Sequence, residues 1–214
     1  MRFQRVFLIT LASVAVLVSC SMAALGALPQ DASEILGQAV ADFLSGRIEE
    51  SVLEFERVVE LAPEMAPYLW QRGIALYYVG RYDDCRAQFE SHRTVNPNDV
   101  ENAAWHFLCF ARLQSPEEAR KALLPVGPDS REPMTKIYEM FSGELRPEEL
   151  LPVVSIQPLQ RFYAYLYLGL YYEVLGRETE AYEHISIAAD DDYGMGGYMH
   201  GVAKLHLALL QRRD

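Results

Sequence analysis

Cysteine is scarce in this sequence, which has only Cys20, Cys85 and Cys109 among its 214 residues. So few cysteines exclude a small secreted scaffold that is held together by several disulfides. Cys85 and Cys109 each lie in a helical pattern among apolar neighbours, so we expect two buried thiols. A bridge between these two residues is the alternative that the sequence leaves open.

Recognisable catalytic motifs are also missing. The chain contains no HExxH zinc motif, no GxSxG nucleophile turn and no phosphate-binding P-loop. Its five histidines are scattered, and the acidic run at residues 190–192 lacks the spaced ligands of a calcium loop. We therefore predict no enzyme activity, no catalytic residues, no cofactor and no metal site. An enzyme or metal protein is the alternative, and it requires histidines, cysteines or carboxylates to cluster in space.

Positive charge is in short supply. The chain has 19 lysines and arginines against 30 aspartates and glutamates, which gives a formal net charge of −11. Phosphate backbones and anionic lipid repel such a protein, so we expect no nucleic-acid partner. We expect contact with a membrane only through the N-terminal segment.

The N-terminal segment differs in composition from the rest of the chain. Two arginines precede an apolar run without charge over residues 6–28. This pattern is typical of export, so residues 1–27 are predicted to be a signal peptide, a lipoprotein signal or a membrane anchor. Cleavage before Ala27, lipidation of Cys20 in the sequence LVSC, and an uncleaved anchor all stay open. Each outcome exports the rest of the chain, either anchored and facing the periplasm or outside, or soluble.

A spacing of 34 residues recurs through the first half of the chain. Three pairs of residues show it: Gly46 and Gly80, Phe55 and Phe89, and Pro63 and Pro97. Glycine can end a first helix in the left-handed conformation, and proline stops a second helix. The pattern resembles that of tetratricopeptide repeats (TPRs), whose period is 34 residues.

Small residues occupy two further positions of this repeat. Ala39 and Gly73 lie at its eighth position, and Ser51 and Cys85 lie at its twentieth, where a small side chain lets two helices cross closely. A third copy over residues 161–192 places three small residues at the eighth, turn and twentieth positions. These residues are Gly169, Gly176 and Ala181.

These patterns predict an all-α protein. We expect a solenoid of about three to four TPR helix pairs and a C-terminal capping helix, preceded by an apolar signal or anchor helix. The parts are residues 1–27 for the signal or anchor, 32–97 for two regular TPRs, 98–159 for a degenerate TPR and a short-helix link, and 160–214 for a TPR and the capping helix.

Three segments, in this order along the chain, resemble one particular family of TPR proteins. They read RGIALYYVGRYDDCRAQFESHRTVNPND followed by Trp105, then EMFSGELRPEELL, then YLYLGLYYEVLGRETEAYEHISIAADDD. From about residue 66 to 206 the chain resembles the NlpI family of bacterial TPR lipoproteins. The resemblance implies a lipid-anchored periplasmic adaptor that dimerises and brings a tail-specific protease to peptidoglycan hydrolases.

The first helices of a TPR stack line its concave face, where peptides or partner helices bind. Aromatic side chains on such a face suit apolar and stacking contacts with a protein or peptide. The predicted protein-binding residues are Trp70, Ile74, Tyr77, Tyr78, His106, Tyr163, Tyr167 and Leu170. For each of them, packing between adjacent repeats is the alternative.

Two functions follow from these observations. The first is a non-enzymatic adaptor or scaffold that binds envelope or lumenal proteins and links a protease to its substrates. The second is a structural, self-associating envelope lipoprotein without a dedicated enzyme partner, for which a homodimer is the simplest assembly.

Overall fold

The computed structural model describes residues 30–212, and within this range every regular element is helical. The α-helices are α1 (Gln30–Leu44), α2 (Ile48–Leu61), α3 (Trp70–Tyr78), α4 (Tyr82–His92), α5 (Val100–Leu113), α6 (Pro116–Lys121), α7 (Met134–Ser142), α8 (Pro147–Val153), α9 (Pro158–Val174), α10 (Glu178–Ala188) and α11 (Tyr198–Leu210). Short 3-10 helices span Pro63–Tyr68 and Asp191–Gly196. The prediction of an all-α protein is confirmed for this part of the chain.

Consecutive helices pack as pairs, and the pairs pack on one another. The pairs are α1 with α2, α3 with α4, α5 with α6, α7 with α8, and α9 with α10. Within the stack α2 also contacts α3, α4 contacts α5, and α8 contacts α9. This arrangement is compatible with a helical repeat fold.

Glycine makes the turn in three of these pairs. Gly46, Gly80 and Gly176 have φ angles of +82°, +76° and +73°, in the left-handed region that disfavours residues with a Cβ. In each case the second helix begins two residues after the glycine. The residues that set the 34-residue spacing in the sequence therefore set the helix boundaries in the structure.

Small residues let the helices of three pairs cross closely. Ser51 Oγ donates a hydrogen bond of 2.7 Å to the carbonyl oxygen of Ala39 across the first pair. A Cβ at Gly73 would lie 2.7 Å from the ring of Phe89, and one at Gly169 would lie 2.5 Å from Ile185 Cγ1. These distances are shorter than van der Waals contact, so the backbone approach depends on glycine at both positions.

Cys85 on α4 and Cys109 on α5 form a disulfide, with their Cα atoms 6.0 Å apart. The expectation of two separate buried thiols was therefore wrong, although both residues are fully buried. The helical pattern predicts a buried position for each cysteine, but only the packing of α4 against α5 brings the two sulfur atoms together.

The N-terminal predictions lie outside the described residues. They concern the signal or anchor over residues 1–27, its cleavage, and the lipidation of Cys20. From Gln30 to Arg212, none of the helices combines the length and the apolar character that crossing a membrane requires.

Candidate functional site

The predicted binding residues lie on α3, α5 and α9, which with α1 form one face of the stack, here called the first-helix face. Five of the eight are buried in the core: Ile74, Tyr77, His106, Tyr167 and Leu170. Trp70, Tyr78 and Tyr163 are half-buried. In this structure most of the predicted set packs between helices, and three of its aromatic residues are partly exposed.

The C-terminal helix α11 covers much of the first-helix face. The ring of Tyr198 stacks on Phe43 of α1 at 5.7 Å between centroids and meets Trp70 of α3 edge-on at 5.0 Å. Further along α11, His206 Nδ1 and the hydroxyl oxygen of Tyr78 are 3.0 Å apart, within hydrogen-bonding distance. Helix α11 therefore covers part of the first-helix face, on which the sequence predicts partner binding.

Helix α11, which the sequence analysis predicts to be the capping helix, has little polar surface. Within the helix only Lys204 is exposed, whereas the other residues are buried or half-buried. A helix that is apolar on nearly every side is stabilised by burying more than one stripe. Packing against both α10 and α1 achieves this.

A polar pocket lies beside the C-terminal half of α11. We call it the tyrosine pocket, and its cavity volume is about 370 Å³. Its lining residues come from α3, α4, α5, α9 and α11, and they are Tyr77, Tyr78, Tyr82, Arg112, Glu173, His206 and Leu209. Two of the eight predicted binding residues, Tyr77 and Tyr78, belong to it.

An ion pair forms one wall of the tyrosine pocket. Arg112 Nη2 lies 2.9 Å from Glu173 Oε2, and the Glu173 side chain is only 4% exposed. Arg112 Nε donates to the hydroxyl of Tyr77 at 3.1 Å, and its guanidinium carbon lies 5.8 Å from the centre of that ring. His206 Nε2 is 3.4 Å from the same oxygen of Glu173. Glu173 and Tyr77 together fix the position of the Arg112 side chain.

Burial and neighbouring charge decide the protonation states of Tyr77 and Arg112. Burial raises the pKa of the Tyr77 hydroxyl, and the carboxylate of Glu173 raises it further. Burial lowers the pKa of Arg112, but Tyr77 and Glu173 outweigh that effect and leave its pKa raised. Tyr77 therefore stays a neutral hydroxyl and Arg112 stays charged over the physiological pH range.

Sequence reasoning did not assign Tyr82, Arg112, Glu173 or His206 to this site. The separation between Tyr78 and His206 is 128 residues, so no local spacing links them. The usable signal was the presence of Glu173 and His206 within otherwise apolar helices, because such residues are rarely buried without a partner.

A second charged cluster lies on the loop after α6. Arg131 pairs with Asp99 at 2.6 Å, with Glu101 at 2.7 Å and with Asp129 at 2.6 Å. The hydroxyl of the buried Tyr167 donates to Glu101 Oε2 at 2.6 Å. One guanidinium thus holds three carboxylates and ties the loop to the N-terminal end of α5, which is a structural role.

We predict that Glu101 makes stability depend on pH. Burial and the charge of Asp99 raise the pKa of Glu101 from 4.5 to about 7, against the opposing effect of Arg131. The folded state therefore favours the protonated carboxyl. This stabilisation is complete below pH 4.5 and is lost as the pH rises through 7.

Substitution of Glu101 by Gln tests this prediction. Between pH 4.5 and 7.5 the wild-type protein is expected to lose about 3 kcal/mol more unfolding free energy than Glu101→Gln, because the amide does not ionise. Urea denaturation at several pH values measures the difference. The exposed Glu178→Gln serves as the control and should follow the wild type, and identical pH profiles for wild type and Glu101→Gln would refute the prediction.

No protein-family model matches the chain, and a comparison with curated proteins found no match. Among residues 30–212, no three histidine, cysteine, aspartate or glutamate side chains are grouped so that they could hold a metal ion.

Proposed function

We propose that this protein is a non-enzymatic TPR adaptor of the cell envelope, similar to the NlpI family, that binds other proteins through the first-helix face. The observation that carries the proposal is the recurrence of closely crossing helix pairs at a spacing of 34 residues. Stacks of such repeats expose an extended surface to which partners bind. A constant sequence period is the feature by which these repeats are recognised.

The partner surface in this proposal is the part of the first-helix face that α11 leaves uncovered. Tyr163 is half-buried at this edge, and its ring lies 5.0 Å from that of Phe162 and 6.5 Å from that of Tyr167. Rigid aromatic side chains of this kind contribute much of the binding energy in protein interfaces because they lose little conformational entropy.

Crosslinking and affinity capture from the envelope fraction test the adaptor. The wild-type protein is expected to capture a protease or another envelope enzyme, identified by mass spectrometry. Tyr163→Ala is expected to reduce this capture about tenfold or more, because truncating an aromatic anchor removes at least one to two kcal/mol of binding energy, on the order of a hot-spot residue.

Tyr182→Ala is the matched control. Tyr182 is also a tyrosine, but it is 41% exposed on α10, a second helix of a pair. Capture should be unchanged in this variant. If the wild type captures no envelope protein, or if Tyr163→Ala captures as much as the wild type, the adaptor role of this face is refuted.

Self-association is the second candidate function, and exposed apolar side chains favour it. Val153, Ile156 and Leu159, near the junction of α8 and α9, are 52%, 81% and 39% exposed. Exposed apolar groups of this kind are found in interaction surfaces. Light scattering over a range of protein concentrations distinguishes the two functions, because the structural protein would form a concentration-dependent oligomer and retain no outside partner.

A further inference from the structure

Aromatic and acidic side chains lie next to each other on the first-helix face. The ring of Tyr163 on α9 is half-buried and lies parallel to that of Tyr167, with 6.5 Å between their centroids. The hydroxyl of Tyr167 donates to Glu101 Oε2 on α5 at 2.6 Å. Burial raises the pKa of the Tyr163 hydroxyl, and the carboxylate of Glu101 raises it further. The Tyr163 ring therefore lies in the electric field of this carboxylate.

Negative charge exceeds positive charge beside Tyr163. Arg131 pairs with three carboxylates, which are those of Asp99, Glu101 and Asp129. Burial and the charge of Asp99 outweigh Arg131 and raise the pKa of Glu101 to about 7, so a further cation would stabilise its ionised form. The side chains of Asp99 and Glu101 are 19% and 15% exposed. We call Tyr163, Asp99 and Glu101 the Tyr163 surface.

A tyrosine ring beside carboxylates is a surface that attracts an organic cation. The same chain contains this arrangement with its cation in place. The guanidinium carbon of Arg177 lies 4.3 Å from the centre of the Tyr172 ring, and its nitrogen atoms pair with Glu148 at 2.8 Å and Glu180 at 2.7 Å. The Tyr163 surface offers the same groups to a cation of another protein.

Helix α11 shows how a segment lies on the first-helix face. It is helical, and the ring of Tyr198 at its start stacks on Phe43. A Cβ at Gly201 would lie 2.4 Å from Leu44 Cδ2, so the helix approaches α1 closely. Apolar contact with a helix is therefore a binding mode that this face already uses.

We propose that the partner of the first-helix face is a basic amphipathic helix, which places a lysine or arginine over Tyr163 and beside Glu101 and Asp99. The proposal rests on the adaptor function and names the chemistry of the partner. The net charge of −11 also speeds association with a basic segment and repels an acidic one.

Calorimetry with two synthetic helical peptides tests this charge preference on the full chain. The peptides have leucine at the same positions and differ only in carrying lysine or glutamate at all charged positions. The lysine peptide is expected to bind about tenfold more tightly or better. Equal affinity for the two peptides, or tighter binding of the glutamate peptide, overturns the proposal.

Two double variants distinguish the Tyr163 surface from the general acidity of the chain. Asp99→Asn/Glu101→Gln is expected to weaken binding of the lysine peptide about tenfold, and asparagine can still cap α5. Glu178→Gln/Asp192→Asn removes two charges at exposed positions and should bind as the wild type does. Unfolding curves confirm that each variant is folded. Equal weakening in both variants, or none in the first, refutes the proposal.

Capture from the envelope fraction separates this proposal from the adaptor function. The double variant Asp99→Asn/Glu101→Gln is expected to capture about tenfold less of the envelope protein than the wild type. If it captures as much as the wild type while Tyr163→Ala captures less, the adaptor function stands and the basic partner is refuted. A wild type that captures no envelope protein refutes the adaptor function, and this proposal with it.

Discussion

Replacing both Cys85 and Cys109 by alanine is expected to lower the free energy of unfolding by about 3–4 kcal/mol. The disulfide joins residues 24 positions apart, so it removes many conformations from the unfolded chain. Both side chains are fully buried between α4 and α5, so their truncation also leaves unfilled space in the core. Urea denaturation of the oxidised wild type and of the double variant, both carrying Cys20→Ser, measures the loss.

Reduction of the wild type provides the matched control for the disulfide. A reductant should destabilise the wild-type protein by a comparable amount and should leave Cys85→Ala/Cys109→Ala unaffected. Alkylation of the denatured, unreduced Cys20→Ser protein should label neither remaining cysteine. If both react, the bridge is absent. Disulfides persist in oxidising compartments, so protection from alkylation in protein taken from cells would also support the predicted export.

Alanine at position 169 is expected to destabilise the protein by about 2 kcal/mol, even though alanine favours helix formation over glycine by about 1 kcal/mol. Gly169 lies within α9 at its crossing with α10. A Cβ there would lie 2.5 Å and 2.7 Å from two side-chain carbons of Ile185 and 3.1 Å from its backbone nitrogen. The side chain can turn away, but the backbone nitrogen moves only if the two helices separate.

Gly37→Ala is the control, and it is expected to change stability in the opposite direction. Gly37 lies within α1 and is exposed, and a Cβ there would meet no atom within 4 Å. This substitution is expected to stabilise the protein by about 1 kcal/mol, because alanine loses less conformational entropy than glycine in a helix. Thermal unfolding of both variants measures the two effects. Stabilisation by Gly169→Ala would mean that α9 and α10 do not approach as closely as the structure shows.

The predicted binding residues show which members of the tyrosine pocket could be identified from the sequence. Tyr77 and Tyr78 could be proposed from the sequence because the repeat register places them on a first helix. Arg112, Glu173 and His206 could not be joined to them, because each lies on a different helix and periodicity does not say which polar side chains meet. The half-buried state of Tyr78 could not be foreseen either, since it depends on where α11 packs.

Local structure in this protein follows from the spacing of residues along the chain. Glycines at Gly46, Gly80 and Gly176 end helices because the left-handed conformation is open to them, and the small residues at the eighth position mark the close crossings. These are properties of neighbouring residues, so they can be read from spacing alone.

Which distant groups come together depends instead on how the helices pack. The disulfide, the ion pair at the tyrosine pocket and the packing of α11 across the first-helix face each join segments far apart in the chain. An apolar helix such as α11 can bury its surface at the end of a stack or inside it, and its sequence permits both. The choice depends on the total apolar surface that the assembled helices remove from water, which is a property of the whole packed chain.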